Sequence, residues 1–290
     1  MILLLSRLLR ALPLAWAMAI ARGLSLVWYY LIPVRRRVAR DNVARIYGQR
    51  LSAARQRQIV RGSFANACMY AVESLRMPGL TPALSTQLVR RHNMATIDGL
   101  LARGRGLIAV TAHIGNFDLC GTAQAVRGYP LHAIVKDVHW PPAQRFVAAV
   151  RAATGMGTLP PRGARAQILQ LLAANQIVAF VIDQHMAAHR AIDCTFMGLR
   201  AATTPAPVRF ALATGAPVVP VVLVRDPRDG YHHLIVEDEF QLEAPYAAAA
   251  ANVQHNTQRL NEIVARWVHT WPEQWLWLHR RWKLQDRSDA

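Results

Sequence analysis

Four short apolar runs, separated by segments of helical periodicity, constrain this chain more than any other feature. They are LIAVTA (107–112), LHAIVK (131–136), IVAFVID (177–183) and VVPVVLV (218–224), and a fifth, HHLIVED (232–238), follows. Between the first four lie helix-compatible stretches near 117–127, 142–154, 163–175 and 204–214. Strands that alternate with helices of this length predict an α/β fold with a mainly parallel mixed sheet flanked by helices. The runs lack an apolar/polar alternation, as expected of strands covered on both faces. Further helices are predicted over 53–76, 82–103 and 246–270. In such sheets ligands gather where strands end and helices begin. The segment VTAHIGNFDLCG (110–121) occupies one of these junctions.

The N-terminal stretch Ala11–Val34 is apolar except for Arg22 and is flanked by arginines. It is long enough to cross a bilayer, which takes about 20 residues. Broken at Arg22, it would instead give two shorter segments lying in the interface, with Trp28, Tyr29 and Tyr30 at headgroup level. RRRVAR (35–40) follows at once, and the positive-inside rule would keep the rest of the chain cytoplasmic. The expected organisation is an anchoring or interfacial segment over residues 1–40 and one catalytic domain over 41–290. The net charge of +17, carried almost wholly by arginine, calls for an anionic partner. The basic residues are spread along the chain without a nucleic-acid-binding motif, which argues against nucleic acid and for an anionic membrane surface. The three cysteines match neither a zinc site nor a disulfide framework.

A histidine followed five residues later by an acid occurs four times: His113/Asp118, His132/Asp137, His232/Glu237 and His233/Asp238. The last three pairs lie largely within predicted strands, where positions i and i+5 face opposite sides. His113 instead ends a strand, Gly115 and Asn116 permit a turn, and Asp118 falls in the first turn of a helix. That geometry lets Asp118 fold back to orient His113, which would then act as a general base. The alternative is a structural histidine beside a carboxylate that favours a helix N-terminus. Two further features are open to more than one reading. PPRGARAQ (160–167) opens a helix with Arg162 and Arg165, an anion site or an ordinary basic surface. Five tryptophans (Trp267, Trp271, Trp275, Trp277 and Trp282) form either an interfacial belt or part of the core. Thr203 and Thr204 read as caps of the helix that follows.

Several blocks together resemble the bacterial lipid A late acyltransferases, within the lysophospholipid and glycerolipid acyltransferase superfamily. TAHIGNFD resembles the H-x4-D/E block; FVIDQH (180–185) the apolar strand closed by an acid; FMGLRAATTPAPVRFALATGAPVVPV (196–221) the F-G…A-T-T…T-G-A…V-V-P block; and PEQWLWLHRRWK (272–283) the closing signature. The likeness runs from about residue 5 to 283. The first acid is Asp118 where the lipid A branch usually carries Glu, and VKDVHW (135–140) stands where that branch carries Y-R-P.

The resemblance implies a membrane-associated enzyme at the cytoplasmic face of a bacterial inner membrane. It would move a fatty acyl chain from an acyl-carrier protein or acyl-CoA thioester to a hydroxyl of a lipid A precursor or related glycolipid. Other acceptors with the same chemistry are a lysophospholipid, a phosphoinositide mannoside, an aminolipid or an aryl polyene lipid anchor. His113 would be the base and Asp118 its partner, with no metal or cofactor beyond the thioester co-substrate. Substrate contacts are expected from Asn116, from Lys136 as the nearest cation in VKDVHW, from Arg151, Arg162 and Arg165, and from Asp183 and Gln184 at the end of the third run.

Overall fold

In the computed structural model, which describes residues 1–136, 140–228 and 230–283, the chain begins with four helices: α1 (Ile2–Ala11), α2 (Leu14–Leu31), α3 (Arg36–Tyr47) and α4 (Ala53–Arg76). Ser52 caps α4 by accepting the Arg55 amide at 3.2 Å. Next come α5 (Pro82–Leu88), β1 (Val89–His92), α6 (Met94–Leu101), β2 (Leu107–Thr111), α7 (Phe117–Ala125), β3 (Leu131–Ile134), α8 (Pro141–Ala153), β4 (Gly157–Leu159), α9 (Arg165–Ala173) and β5 (Ile177–Val181). A hairpin of β6 (Ile192–Phe196) and β7 (Leu199–Thr203) precedes α10 (Ala206–Thr214), β8 (Val218–Arg225), β9 (His232–Val236) and α11 (Ala249–Thr270).

Seven strands form one sheet in the order β1-β9-β8-β2-β5-β3-β4, and β6 and β7 pair separately. Every neighbouring pair in the large sheet is parallel except β8 with β9. The five apolar runs are therefore strands as expected, and the sheet is mixed and mainly parallel. The stretch expected as one helix over 82–103 is divided into α5, β1 and α6. The strand VRRH forms because it pairs with β9 at the sheet edge, where its arginines stay exposed.

Both faces of β2 are covered. Ile108 and Val110 pack with Ile168 and Leu172 of α9, Val208 of α10, and Leu260 and Val264 of α11. Leu107 and Ala109 pack with Ile97 and Leu100 of α6, Leu119 and Ala123 of α7, and Val150 of α8. Each such aliphatic side chain withdrawn from water contributes roughly 1.5–3 kcal/mol, so the sheet centre is held from both faces. The C-terminal tryptophans belong to this core: Trp267, Trp275, Trp277 and Trp282 are all buried. The belt reading fails for these four, because α11 and the segment after it fold back onto the sheet.

Helix α2 runs unbroken through Arg22, so two segments divided there do not form. It is the one helix among the described residues long and apolar enough to cross a membrane. Ala17, Ala21, Ser25 and Tyr29, four residues apart, are buried. Trp16, Ile20, Leu24, Val27 and Leu31 face outward, leaving an exposed apolar band. Helix α3 straddles the boundary expected at residue 40, and its Ala39 and Val43 lie in the main core.

Candidate active site

Strands β2 and β5 are parallel neighbours with Thr111 opposite Val181. The backbone pairing continues for one more residue, with the Ile182 amide bonded to the Thr111 carbonyl at 3.1 Å. His113 and Asp183 therefore leave the sheet side by side, two residues past the same register pair. The His113 amide donates to Asp183 Oδ2 at 2.9 Å, and the His113 ring Nδ1 lies 2.7 Å from Asp183 Oδ1. Trp275 Nε1 donates to Oδ2 at 2.7 Å. Burial opposes the charge on Asp183, but the His113 ring and the bonds from His113 and Trp275 outweigh it and hold the carboxyl down at about 2. An ionised carboxylate only accepts, so the network places a proton on Nδ1 and leaves the Nε2 lone pair outward. Gln184 Nε2 lies 3.1 Å from His113 Nε2. The His113 side chain keeps 16% of its surface exposed while Asp183 keeps 1%, which is the arrangement of a reachable base on a buried support.

Asp118 is not the partner of His113. Its Oδ1 accepts from Arg151 Nε at 3.1 Å and Nη2 at 2.7 Å, and its Oδ2 accepts from the Tyr70 hydroxyl at 2.5 Å. Phe117 stands beside both groups: its ring meets His113 edge-on at 4.6 Å and stacks on Tyr70 at 4.7 Å. The local reason is the helix cap. Asn116 Oδ1 accepts the Leu119 amide and starts α7 at Phe117. Asp118 then lies in the first helical turn, where α8 supplies Arg151 and α4 supplies Tyr70. The expected His113–Asp118 contact is thus replaced by two separate pairs, His113–Asp183 and Asp118–Arg151.

In two of the other histidine–acid spacings the histidine and the acid each have a different partner. His232 bonds Glu73 at 3.1 Å, while Glu237 accepts from Trp267. His233 lies 2.9 Å from His92 Nε2, and Asp238 accepts from Asn93. Asp137 lies outside the described residues.

The remaining expected contacts divide by position. Asn116 is fully buried, with its amide nitrogen on Glu73 at 2.9 Å, so both ends of its side chain serve the fold. Arg151 is buried and engaged by Asp118. Lys136, Arg162 and Arg165 are exposed. Lys136 follows β3 and Arg162 follows β4, so both lie off the same carboxyl edge of the sheet as His113 and Asp183. The edge order β2-β5-β3-β4 puts Arg162 three strand steps from His113, about 14 Å at 4.8 Å per step. Thr204 accepts the Ala206 amide at 3.3 Å near the start of α10, whereas Thr203 accepts from the buried Arg281 and from Asn261.

Sequence reasoning did not single out the polar cluster behind the site. Glu73 of α4 accepts from Arg225 Nη2 at 2.7 Å as well as from His232 and Asn116. Burial works against its charge, yet His232 and Arg225 hold its carboxyl down at about 2. Arg225 also donates to Asn66, whose amide reaches the carbonyls of Gly115 and Gln274. The segment Gln274–Leu276 is in turn zipped to the histidine turn, with the Gly115 amide on Gln274 O and the Leu276 amide on His113 O, both at 3.1 Å. A carboxylate on the buried stripe of a helix and an arginine closing an apolar strand were the legible signals.

This geometry can be set beside known proteins. Residues 1–284 match the family described as bacterial lipid A biosynthesis acyltransferase. The chain belongs to that family. It is also similar to the phosphatidylinositol mannoside acyltransferase of Mycolicibacterium smegmatis, with 23% identity over 257 residues, covering 86% of this chain and 80% of the relative. Membership supports, in general terms, acyl transfer to a lipid-type acceptor, and the apolar helix α2 agrees with an acyltransferase that works at a membrane.

Proposed function

We propose that the protein transfers a fatty acyl chain from an acyl-carrier protein or acyl-CoA thioester to a hydroxyl of a lipid A precursor or related glycolipid. The observation that carries this reading is the buried, ionised Asp183 holding the Nδ1 side of a partly exposed His113 at a strand end. The acceptor hydroxyl displaces the Gln184 amide from Nε2. His113 removes the hydroxyl proton as the oxygen attacks the thioester carbonyl, and Asp183 stabilises the imidazolium that forms. The tetrahedral intermediate collapses by breaking the carbon–sulfur bond. The imidazolium returns its proton to the departing sulfur, giving the ester and a free thiol. No acyl-enzyme is formed.

Asp118 and Arg151 act in this reading as a positioning pair that fixes α7 against α4 and α8 beside the base. Lys136, Arg162 and Arg165 provide cations along the sheet edge for phosphates of the acceptor or of the donor's phosphopantetheine. Residues 1–40 anchor the domain formed by 41–290 at the cytoplasmic face of the inner membrane, with the arginines after α2 on the inner side. The similarity to a phosphatidylinositol mannoside acyltransferase favours a second acceptor, a mannosylated phosphoinositide, with unchanged chemistry. Mass spectrometry of lipids from a strain lacking the protein distinguishes the two. The primary reading expects a lipid A species short of one acyl chain, restored by the wild-type gene but not by His113→Ala. An unchanged lipid A profile would contradict it, and a missing acyl group on a phosphoinositide would select the second acceptor.

A further inference from the structure

A groove of about 530 Å³ opens between the end of α2, the start of α3 and the first half of α4. Four guanidinium side chains line it, Arg36, Arg37, Arg40 and Arg57, against one carboxylate, Asp41. Asp41 faces Arg37 at 3.6 Å in an exposed pair, which contributes little neutralisation. Arg40 and Arg57 are exposed and, among the described residues, take part in no ion pair or hydrogen bond. The floor is apolar, with Val43 and Val60 buried beneath the arginines. Lining of this kind suits a ligand with an anionic head and an apolar remainder, and the volume is that of a small-molecule site.

The position of the groove narrows the ligand. Arg36 Nη1 donates to the carbonyls of Tyr29 and Tyr30 in the last turn of α2. The neighbouring Tyr30, Leu31, Ile32 and Val34 are exposed. The basic lining thus begins where the apolar band of α2 ends, at the depth where phosphate headgroups lie if α2 sits in a bilayer. The groove is also apart from the His113 centre. Along α4, Arg57 and Tyr70 are 13 residues and about 20 Å apart at 1.5 Å per residue.

We propose that this groove binds the phosphate headgroup of an anionic membrane lipid that is not the acyl acceptor. Arg40 and Arg57 hold the phosphate, and the exposed Pro33, Ala44 and Ala53 of the lining meet the glycerol and upper acyl carbons. Such a lipid would fix the depth and orientation of the catalytic face. Helix α3 links the two regions, because Asn42 donates to the carbonyls of Trp277 and His279 in the C-terminal segment that supports Asp183.

The test uses the full chain in neutral detergent with dihexanoyl phosphatidylglycerol as probe, read by native mass spectrometry or calorimetry. Saturable binding is expected, falling at high salt, with at least tenfold weaker binding by the double variant Arg40→Gln/Arg57→Gln. The control Arg105→Gln/Arg209→Gln removes the same charge from exposed positions elsewhere and should bind as wild type. Dihexanoyl phosphatidylcholine, whose head carries a cation, should bind at least tenfold more weakly. Equal binding of the two lipids, or an unaffected Arg40→Gln/Arg57→Gln variant, would overturn the proposal. Inorganic phosphate binding as tightly as the anionic lipid would overturn the lipid assignment. Binding is read without turnover, so failure of the acyl-transfer reading leaves this result unchanged.

Discussion

Asp183 and His113, 70 residues apart in sequence, meet at 2.7 Å because each lies two residues beyond the register pair Thr111–Val181 of adjacent parallel strands. The pair is set by the sheet and locked by Trp275, whose indole takes the second face of the carboxylate. Trp275→Phe removes that donor and also shrinks a buried ring. It should cost at least about 1–3 kcal/mol of stability for leaving part of a buried charged acceptor unsatisfied, with the cavity left by the smaller ring adding to the loss. Chemical denaturation checks this, and a wild-type midpoint would mean that the indole bond contributes nothing net.

Asp118 belongs to a different balance. Asp118→Ala leaves the buried Arg151 guanidinium without its carboxylate, a loss of about 3–5 kcal/mol for breaking a buried ion pair. The expected result is a large fall in melting temperature, with activity lost in step with folded protein. A wild-type melt combined with a collapse of kcat would instead place Asp118 in the chemistry.

The buried carboxylates predict acid sensitivity of a definite sign. Glu73 and Asp183 are both held down at about 2, from ordinary values of 4.5 and 3.8. A depressed carboxyl pKa adds stability that is present above the ordinary value and is lost as pH falls towards the folded value. The two groups contribute roughly 3 and 2 kcal/mol respectively by linkage, so stability should drop between about pH 4.5 and pH 2. Denaturation midpoints across that window should fall less steeply for Glu73→Gln than for wild type. Equal slopes would refute the assignment to Glu73.

Gly115 supplies the turn that places the pair. Its φ is +58°, and a Cβ there would lie 2.2 Å from the Leu223 carbonyl oxygen, a backbone atom of β8. Gly115→Ala should cost about 2–4 kcal/mol through left-handed strain and displacement of the turn. It should also lower kcat in the fraction that remains folded. Full activity and stability would show that the turn adapts freely.

The parts of this molecule readable from sequence are those with local causes. Continuous apolar runs announced β2, β3, β5, β8 and β9, and helical periodicity gave α4 within its observed ends. The edge strands β1 and β4 were not legible: one reads VRRH and the other has three residues, and both exist only through their neighbours. At the site, local spacing pointed to Asp118 because it is near in sequence, whereas the carboxylate in contact is decided by strand order and register. Asp183 was visible as an acid at a strand end. Its partner became definite only once β2 and β5 were side by side. Glu73 and Arg225 carried faint local signals, but their pairing was hidden for the same reason, since it exists only once the fold buries one against the other.

The most direct test of the central claim is kcat for thioester-dependent acylation of a lipid acceptor in detergent, compared among wild type, Asp183→Asn and Asp118→Asn. Asp183→Asn keeps the shape but removes the charge that orients His113 and stabilises its protonated form. It should lower kcat by roughly 10²–10⁴-fold with little change in KM, while folded Asp118→Asn retains far more activity. Wild-type turnover by Asp183→Asn, with the loss falling on Asp118→Asn instead, would contradict the account.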